Sequence, residues 1–348
     1  MKKEEDYLEF VRNIKQSFSE SIITDITPSY LSEPRGLYEN KSLHVIKPRS
    51  TKEVSECLKL ALKYKISVVP WSGGTGLVGG QIAPDKFSVI LSMEKMNKIK
   101  NFSSVNQSIE VEAGVILESI HKFVYKENFL FPLSMASKGS CCIGGNLATN
   151  AGGVGVLKYG NARDLCLGLE VVLADGSIMN DIKTLKKDNT GYDLKNLFIG
   201  SEGSLGIITR AVLRLYPAPL NKIVLFFGVQ DFDLALRSYL EISKKFGQYL
   251  QAFELISDVG LQFLEETKLV QSSVQRSKSE WHVLMELGFN NSSVEQDVYE
   301  TLEDLCNRNM IVDVVLGETE SKARKLWKMR EDIPEANRKI GAITSHDI

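Results

Sequence analysis

The sequence predicts an α+β protein of two domains, and three observations carry the prediction. Apolar residues switch repeatedly between helical and strand spacing, a long glycine-rich stretch shows neither period, and a proline-rich joint, Tyr216-Pro217-Ala218-Pro219, separates two patterned halves. The 348 residues, 43% of them hydrophobic, allow two compact cores. With 42 basic and 44 acidic residues the net charge is -2, so no global field draws the chain to nucleic acid or to an anionic membrane. A small-molecule partner is expected.

Along the chain, MKKEEDYLEFVRNIKQSF sets Tyr7, Val11, Ile14 and Phe18 at helical spacing among charges, unlike the apolar core of a signal peptide. TDITPSYLSEPRG then reads as a loop, and residues 1–40 stand apart as an N-terminal helix and loop. Leu43 to Pro48 reads as a strand, and Ser50 with Glu53 as a capping box for a helix with Val54, Cys57, Leu58, Ala61 and Leu62 on one face. Ile66 to Pro70 is a strand that runs into glycines. FSVILSM is another, SIEVEAGV alternates Ile109, Val111 and Ala113 on one face, and ILESIHKFVYKEN is an amphipathic helix. From Phe129 to Gly160 no period is visible, yet Ile143, Leu147, Val154 and Val156 recur, which argues for an ordered functional loop. LGLEVVLADGS, turning at Asp175-Gly176, and GIITRAVLRLYP read as strands. These elements place one domain over residues 41–219 and a second over 220–348, where IVLFFGV, WHVLMELGF and MIVDVVLG are strands among helices such as DLALRSYLEISKKF. No stretch approaches the roughly 20 apolar residues of a membrane span. Cys57, Cys141, Cys142, Cys166 and Cys306 lack CxxC spacing, which points to a reduced, cytoplasmic chain.

Chemistry is concentrated in three glycine-rich loops. In WSGGTGLVGG (Trp71 to Gly80), Gly74, Gly76 and Gly79 spell GxGxxG, but a strand follows where a doubly wound dinucleotide fold needs a helix. No Lys-Ser or Lys-Thr closes the run as a P-loop would require. What remains is either a nest of N-H groups for phosphate or a tight turn with no ligand. A second loop, LSMASKGSCCIGGNLATNAGG (Leu133 to Gly153), sets Ser140, Asn146, Thr149 and Asn150 among glycines. A third, DNTGYDLKNLFIGSEGSLGIIT (Asp188 to Thr209), places Glu202 where it meets either a ribose hydroxyl or its own turn.

These loops, with LKYGN and LGLEVVLADG, resemble the FAD-binding domain of the vanillyl-alcohol oxidase and p-cresol methylhydroxylase superfamily. Within it they are most similar to D-2-hydroxyglutarate dehydrogenase and its D-2-hydroxy-acid relatives, with D-lactate dehydrogenase and the glycolate oxidase flavin subunit somewhat further off. The resemblance implies a two-subdomain FAD-binding module followed by part of an α+β substrate (cap) domain. It implies that Ser72, Gly73, Gly74, Thr75, Gly76, Leu77, Gly80 and Gln81 cradle the pyrophosphate. Pro132, Gly139, Ser140, Gly144, Gly145, Asn146, Thr149, Asn150 and Gly153 would line the isoalloxazine and ribityl chain, with Glu202, Gly206, Ile207 and Ile208 near the adenine half. Some members tether flavin through a histidine directly after the first loop. None stands there in this chain, so noncovalent FAD is expected.

The same resemblance implies oxidation of a D-2-hydroxy acid to a 2-oxo acid, with electrons passed to a separate acceptor such as electron-transfer flavoprotein or a quinone. WKMREDIPEA (Trp327 to Ala336) matches the family's Trp-x-x-Arg segment, and Arg330 would grip the substrate carboxylate through its planar fork. The competing reading pairs Arg330 with Glu331 or Glu335 on an exposed helix. Pro334 and Ser345 stand where relatives often carry a hydroxyl residue and a lysine, which leaves substrate preference open; His346 is expected to pack at a strand start. The family's His-rich metal and proton-transfer segment is not found among His44, His121, His282 and His346, all expected to be structural. A divalent metal is therefore expected only in a longer protein, and the chain reads as C-terminally truncated, its last strand without neighbours and its second domain prone to expose apolar surface. A flavin-binding electron-transfer subunit without substrate chemistry is the alternative.

Overall fold

The computed structural model describes residues 2–18, 20–270 and 279–341, and the chain divides into two compact units. The first comprises Met1–Leu133, Ser137–Gly152 and Gly160–Ala218; the second comprises Ser134–Ala136, Gly153–Tyr159 and Pro219–Ile348.

The first unit opens with α1 (Lys2–Ser17), whose buried face is Tyr7, Phe10, Val11 and Ile14. Then come β1 (Ile23–Asp25), β2 (His44–Ile46), α2 (Thr51–Tyr64), β3 (Val68–Trp71) and β4 (Val89–Ser92). The strands form one sheet in the order β1-β2-β4-β3, parallel except for the edge strand β1. Ser50 caps α2 by accepting from the Glu53 N-H, and the Glu53 carboxylate accepts from the Arg49 N-H at 2.7 Å, one residue outside the usual capping box. Val54, Cys57, Leu58 and Ala61 are buried, but Leu62 is 59% exposed. The expectation fails there because one further residue rotates about 100° around the helix, out of the apolar face.

A second layer follows: β5 (Ile99–Ser103), β6 (Ser108–Glu112), α3 (Leu117–Lys126), β7 (Phe129–Leu130), α4 (Ile143–Ala148), β8 (Cys166–Val172), β9 (Ile178–Asp181), α6 (Lys195–Phe198), β10 (Ile207–Arg214) and β11 (Tyr216–Pro217), while α5 (Val156–Tyr159), between α4 and β8 in the chain, belongs to the second unit. Five strands make an antiparallel sheet, β5-β6-β10-β8-β9, and β7 pairs with β11. The stretch from Phe129 to Gly160, aperiodic in sequence, thus holds α4 and α5. Six and four residues are too few for an apolar period to register. On β6, Ile109 and Val111 are buried as the alternation predicts, yet Glu110 and Glu112 are buried too. Arg210 on β10 explains the first: its Nη1 meets Glu110 at 2.7 Å, while Nε and Nη2 grip Glu170 of β8 at 2.9 and 2.5 Å. Lys100 pairs with Glu112 at 2.9 Å. Thr51 of α2 also donates to Glu170, which ties the small sheet's helix to the large sheet.

The second unit holds β12 (Asn221–Val229), α7 (Phe232–Phe246), β13 (Leu250–Ser257), α8 (Asp258–Glu266), β14 (Trp281–Phe289), α9 (Ser293–Asn307), β15 (Val312–Gly317) and α10 (Glu320–Ile340). Its antiparallel sheet runs β13-β14-β12-β15. The near-continuous apolar run of β12 is needed because both faces are covered. Ile223, Leu225, Phe227 and Val229 join the core that includes residues of α7 and α9, while Val224 and Phe226 join the one that includes residues of α8 and α10. β13 was not anticipated. Ser345, His346 and the expected last strand lie outside the described residues.

Candidate functional site

The three glycine loops meet in the first unit. Ser72, directly after β3, accepts from the Gly145 N-H at 3.0 Å and donates to the Cys142 carbonyl at 3.4 Å, lacing the first loop to the start of α4. The third loop closes on the end of that helix, where Glu202 N-H donates to Ala148 O at 2.8 Å and Gly200 N-H to Leu147 O at 3.1 Å. Asn150 Oδ1 accepts from Arg163 N-H at 3.0 Å, and the Arg163 guanidinium binds Asn196 O and Ile199 O at 2.7 and 2.6 Å. Glu202 Oε2 lies 3.7 Å from where a Cβ on Gly80 would stand.

Within this convergence the glycines divide by role. A Cβ on Gly73 would stand 2.3 Å from Ser140 O, on Gly144 2.7 Å from Ala113 Cβ, on Gly145 2.8 Å from Ser72, on Gly153 2.1 Å from Ser134 O, and on Gly206 2.7 Å from Val171 Cγ1. At these positions the protein itself occupies the space. Gly139 meets nothing within 4 Å, and Gly80 only the Glu202 carboxylate, so their faces are open. Gly74, at φ +66°, takes a backbone shape that other residues adopt rarely. Gln81 donates to Gly76 O at 3.0 Å and holds the loop from within. Among the described residues, no protein acceptor takes the N-H groups of Gly73 to Gly80, although most of that run is half-buried. Thr75 lies within that run, Leu77 is 42% exposed, and Pro132, Asn146, Ile207 and Ile208 are buried. Thr149 Oγ1 donates to Gly145 O.

A cleft of about 560 Å³ opens between the two layers of this unit. Ser72, Gly73, Gly74 and Ser140 line it, as do Tyr30, Trp71, Glu94, Asn97, Ser119 and Cys142, which sequence reasoning missed. No local pattern marks these positions. Tyr30 sits in a Pro- and Ser-rich loop, and its hydroxyl donates to Glu94, which also pairs with Lys47 at 3.2 Å. Burial pushes the Glu94 carboxyl up, but the bonds from Tyr30 and Lys47 outweigh it and leave the group below its ordinary value. Burial pushes the Cys142 thiol up to about 11, so the cleft offers no thiolate near neutral pH from that residue.

In the second unit, Arg330 projects from α10 and its Nε donates to Glu254 Oε2 of β13 at 2.6 Å. Its ion-pair partner is therefore on strand β13 of the sheet, and Glu335 pairs instead with Lys339. One turn earlier, Trp327 Nε1 donates to Glu286 Oε2 of β14 at 2.8 Å, and Lys222 meets the other oxygen of Glu286 at 3.0 Å. Pro334 lies inside α10 and has no N-H to return to the Arg330 carbonyl. The histidines are bound into the scaffold: His44 Nδ1 bonds Tyr7 OH at 2.8 Å, His121 Nε2 bonds Leu133 O at 2.9 Å, and His282 stacks on Phe226. Among the described residues no group of three His, Cys, Asp or Glu side chains is placed to hold a metal ion. No described helix is long and apolar enough to cross a membrane.

Two family profiles match the chain, the FAD binding domain over residues 42–181 and the C-terminal domain of FAD linked oxidases over 218–348. The mitochondrial D-2-hydroxyglutarate dehydrogenase of Rattus norvegicus is 37% identical over 305 residues, covering 87% of this chain and 56% of the rat protein. The D-2-hydroxyglutarate-pyruvate transhydrogenase of Saccharomyces cerevisiae is 32% identical over 314 residues, covering 89% of this chain and 63% of the yeast protein. The chain thus spans little more than half the length of these relatives. Among solved structures, p-cresol methylhydroxylase with substrate bound superposes with a TM-score of 0.73 at 16% identity, over 94% of this chain and 72% of that one, a likeness of fold. The two layers around the glycine loops and the covered sheet that follows them are those of a flavoprotein: the chain belongs to the family that joins an FAD binding domain to the C-terminal domain of FAD linked oxidases.

Proposed function

We propose that this chain holds FAD noncovalently and serves the oxidation of a D-2-hydroxy acid, of the 2-hydroxyglutarate or lactate kind, to its 2-oxo acid. The observation that carries the reading is the run of N-H groups from Gly73 to Gly80 without acceptors among the described residues, set where three loops converge. Half-buried donors of this kind need a partner, and a pyrophosphate supplies oxygens in a row. The open faces of Gly80 and Gly139 and a cleft of about 560 Å³ fit a ligand of this size. When bound, the flavin supplies the hydride acceptor. The chain's own residues bind and orient. Gln81 stiffens the phosphate loop, Glu202 is placed for a ribose hydroxyl beside Gly80, and Arg330 receives the substrate carboxylate. Electrons leave to a separate acceptor such as electron-transfer flavoprotein or a quinone. The five thiols suit a reducing compartment. Cytoplasm is the reading of the sequence; mitochondrion is the location in the rat relative's name.

The test is anaerobic addition of D-2-hydroxyglutarate or D-lactate to the FAD-loaded protein, with the L enantiomers as controls. Because the family's His-rich segment is not among these 348 residues, bleaching of the visible flavin band by a D acid alone is expected when that segment is supplied with the chain, and slow or absent bleaching from the chain by itself. Flavin that no 2-hydroxy acid reduces with that segment present would withdraw the substrate reading and leave a flavin-binding electron carrier.

A further inference from the structure

We infer that Glu254 is a positioning residue for Arg330, fixing which edge of the guanidinium is presented to a carboxylate; the inference rests on the substrate role proposed for Arg330. A guanidinium offers two paired-donor edges, Nη1 with Nη2 and Nε with one Nη. Glu254 occupies Nε at 2.6 Å, so only the terminal Nη1/Nη2 edge remains whole for two parallel bonds. A free arginine side chain samples many rotamers, and pinning Nε sets both the plane of the fork and its direction.

The surrounding geometry makes this a built arrangement. Glu254 and Glu286 stand on neighbouring strands, Glu254 opposite Leu284 and Glu286 opposite Ala252. They take Arg330 and Trp327, which lie one turn apart on α10. Each side chain of the Trp-x-x-Arg segment therefore has its own carboxylate on the sheet, and the helix is held against rotation at two points. Lys222 neutralises Glu286 at 3.0 Å, so that carboxylate does not compete for Arg330 as an unpaired charge. The arginine itself keeps 35% exposure, enough for its outer edge to meet a ligand.

Positioning and plain electrostatics predict opposite signs. Removing Glu254 takes a negative charge away from Arg330, so electrostatics alone would tighten anion binding. Loss of orientation would weaken it. Calorimetric titration of the FAD-loaded full chain with 2-oxoglutarate and with pyruvate, each against its corresponding amide, separates the two. We expect Glu254→Ala to lower carboxylate affinity by about 10- to 100-fold, with amide affinity and thermal midpoint unchanged. Glu254→Gln, which keeps an acceptor for Nε, should recover part of the loss. Should Glu254→Ala fail to fold, Glu254→Met, which refills the volume without an acceptor, is read in its place. Equal or tighter carboxylate binding in these variants, while Arg330→Ala abolishes it, overturns the role of Glu254 and leaves that of Arg330 standing. No preference for carboxylate over amide in the unmodified protein, or one that survives Arg330→Ala, overturns both.

Discussion

Arg210→Met is the substitution that most directly tests how the central strands of the cofactor unit's five-stranded sheet are held. Arg210 lies on the central strand β10 between Glu110 on β6 and Glu170 on β8. The two carboxylates are 11% and 6% exposed and the arginine 27%. Removing the cation leaves two buried charges on the strands that flank β10. Breaking a buried pair costs about 3–5 kcal/mol, and allowing for partial screening at the arginine gives about 2–4 kcal/mol. Against a usual total of about 5–15 kcal/mol this is large. In urea, followed by fluorescence of Trp71 in a background with Trp281 and Trp327 replaced by Phe, the midpoint should fall by about 1–2 M. The pH response should change sign. Burial pushes the Glu170 carboxyl up, but the bonds from Arg210, Thr51 and Thr209 outweigh it and hold it below its ordinary value. Its stabilisation is therefore full above the unfolded value of about 4.3 and lost as pH falls through the folded one. Without Arg210 burial prevails and the folded value rises, so the variant should regain stability relative to wild type as pH is lowered from about 7 to about 5. The neutral triple replacement, Arg210→Met with Glu110→Gln and Glu170→Gln, should recover most of the loss. A midpoint shift below about 0.3 M, or one that grows on acidification, would refute the reasoning.

Three further outcomes are expected. Gly73→Ala drives a methyl into Ser140 O and should destabilise the unit by about 1–3 kcal/mol, whereas Gly139→Ala faces open space and should leave stability within about 0.5 kcal/mol while weakening FAD binding; unchanged flavin affinity in the second would remove Gly139 from the cofactor's surface. Acid precipitation of the loaded protein should leave the yellow colour in the supernatant, and flavin in the pellet would show a covalent link. With the family's His-rich segment supplied, Arg330→Ala should raise the Michaelis constant about 30-fold or more, because truncating one side of a desolvated carboxylate pair costs about 2–5 kcal/mol; an unchanged constant would make Arg330 only the partner of Glu254.

What was legible in the sequence follows from what period and punctuation encode. β2, β3 and β10 were readable because branched apolar runs end at Pro or Gly, β4 because Val89, Ile90 and Leu91 form a short apolar run, and α2 because its cap and apolar face agree. β13 was missed because QYLQAFELIS mixes long helix-forming residues with a burial order that does not alternate. Its loss mattered, since Glu254, the partner of Arg330, lies on it 76 residues away. Glu110 was invisible as a buried residue because two-residue periodicity assigns every polar position to solvent, and only the cation on a strand 100 residues later reverses that. In the site, loop order was readable, but the cleft walls from Tyr30, Glu94 and Ser119 come from segments whose composition signals a loop, a turn or a helix and not a ligand.

The glycine motifs need two separate explanations, and only one concerns a ligand. Gly73, Gly144, Gly145, Gly153 and Gly206 are small because carbonyls or side chains of the same protein stand within 3 Å of where a Cβ would be. They would be required by this fold with or without a cofactor. Gly73 and Gly145 thus mark how closely the first two loops approach each other, while Gly144, Gly153 and Gly206 mark packing against Ala113, Ser134 and Val171. A phosphate ligand is indicated instead by N-H groups between Gly73 and Gly80 that find no acceptor among the described residues, and by two glycines whose faces are open. A chain that kept the packing glycines but filled Gly80 and Gly139 should keep the architecture and lose the flavin. That pairing separates a folding motif from a binding motif within one stretch of sequence.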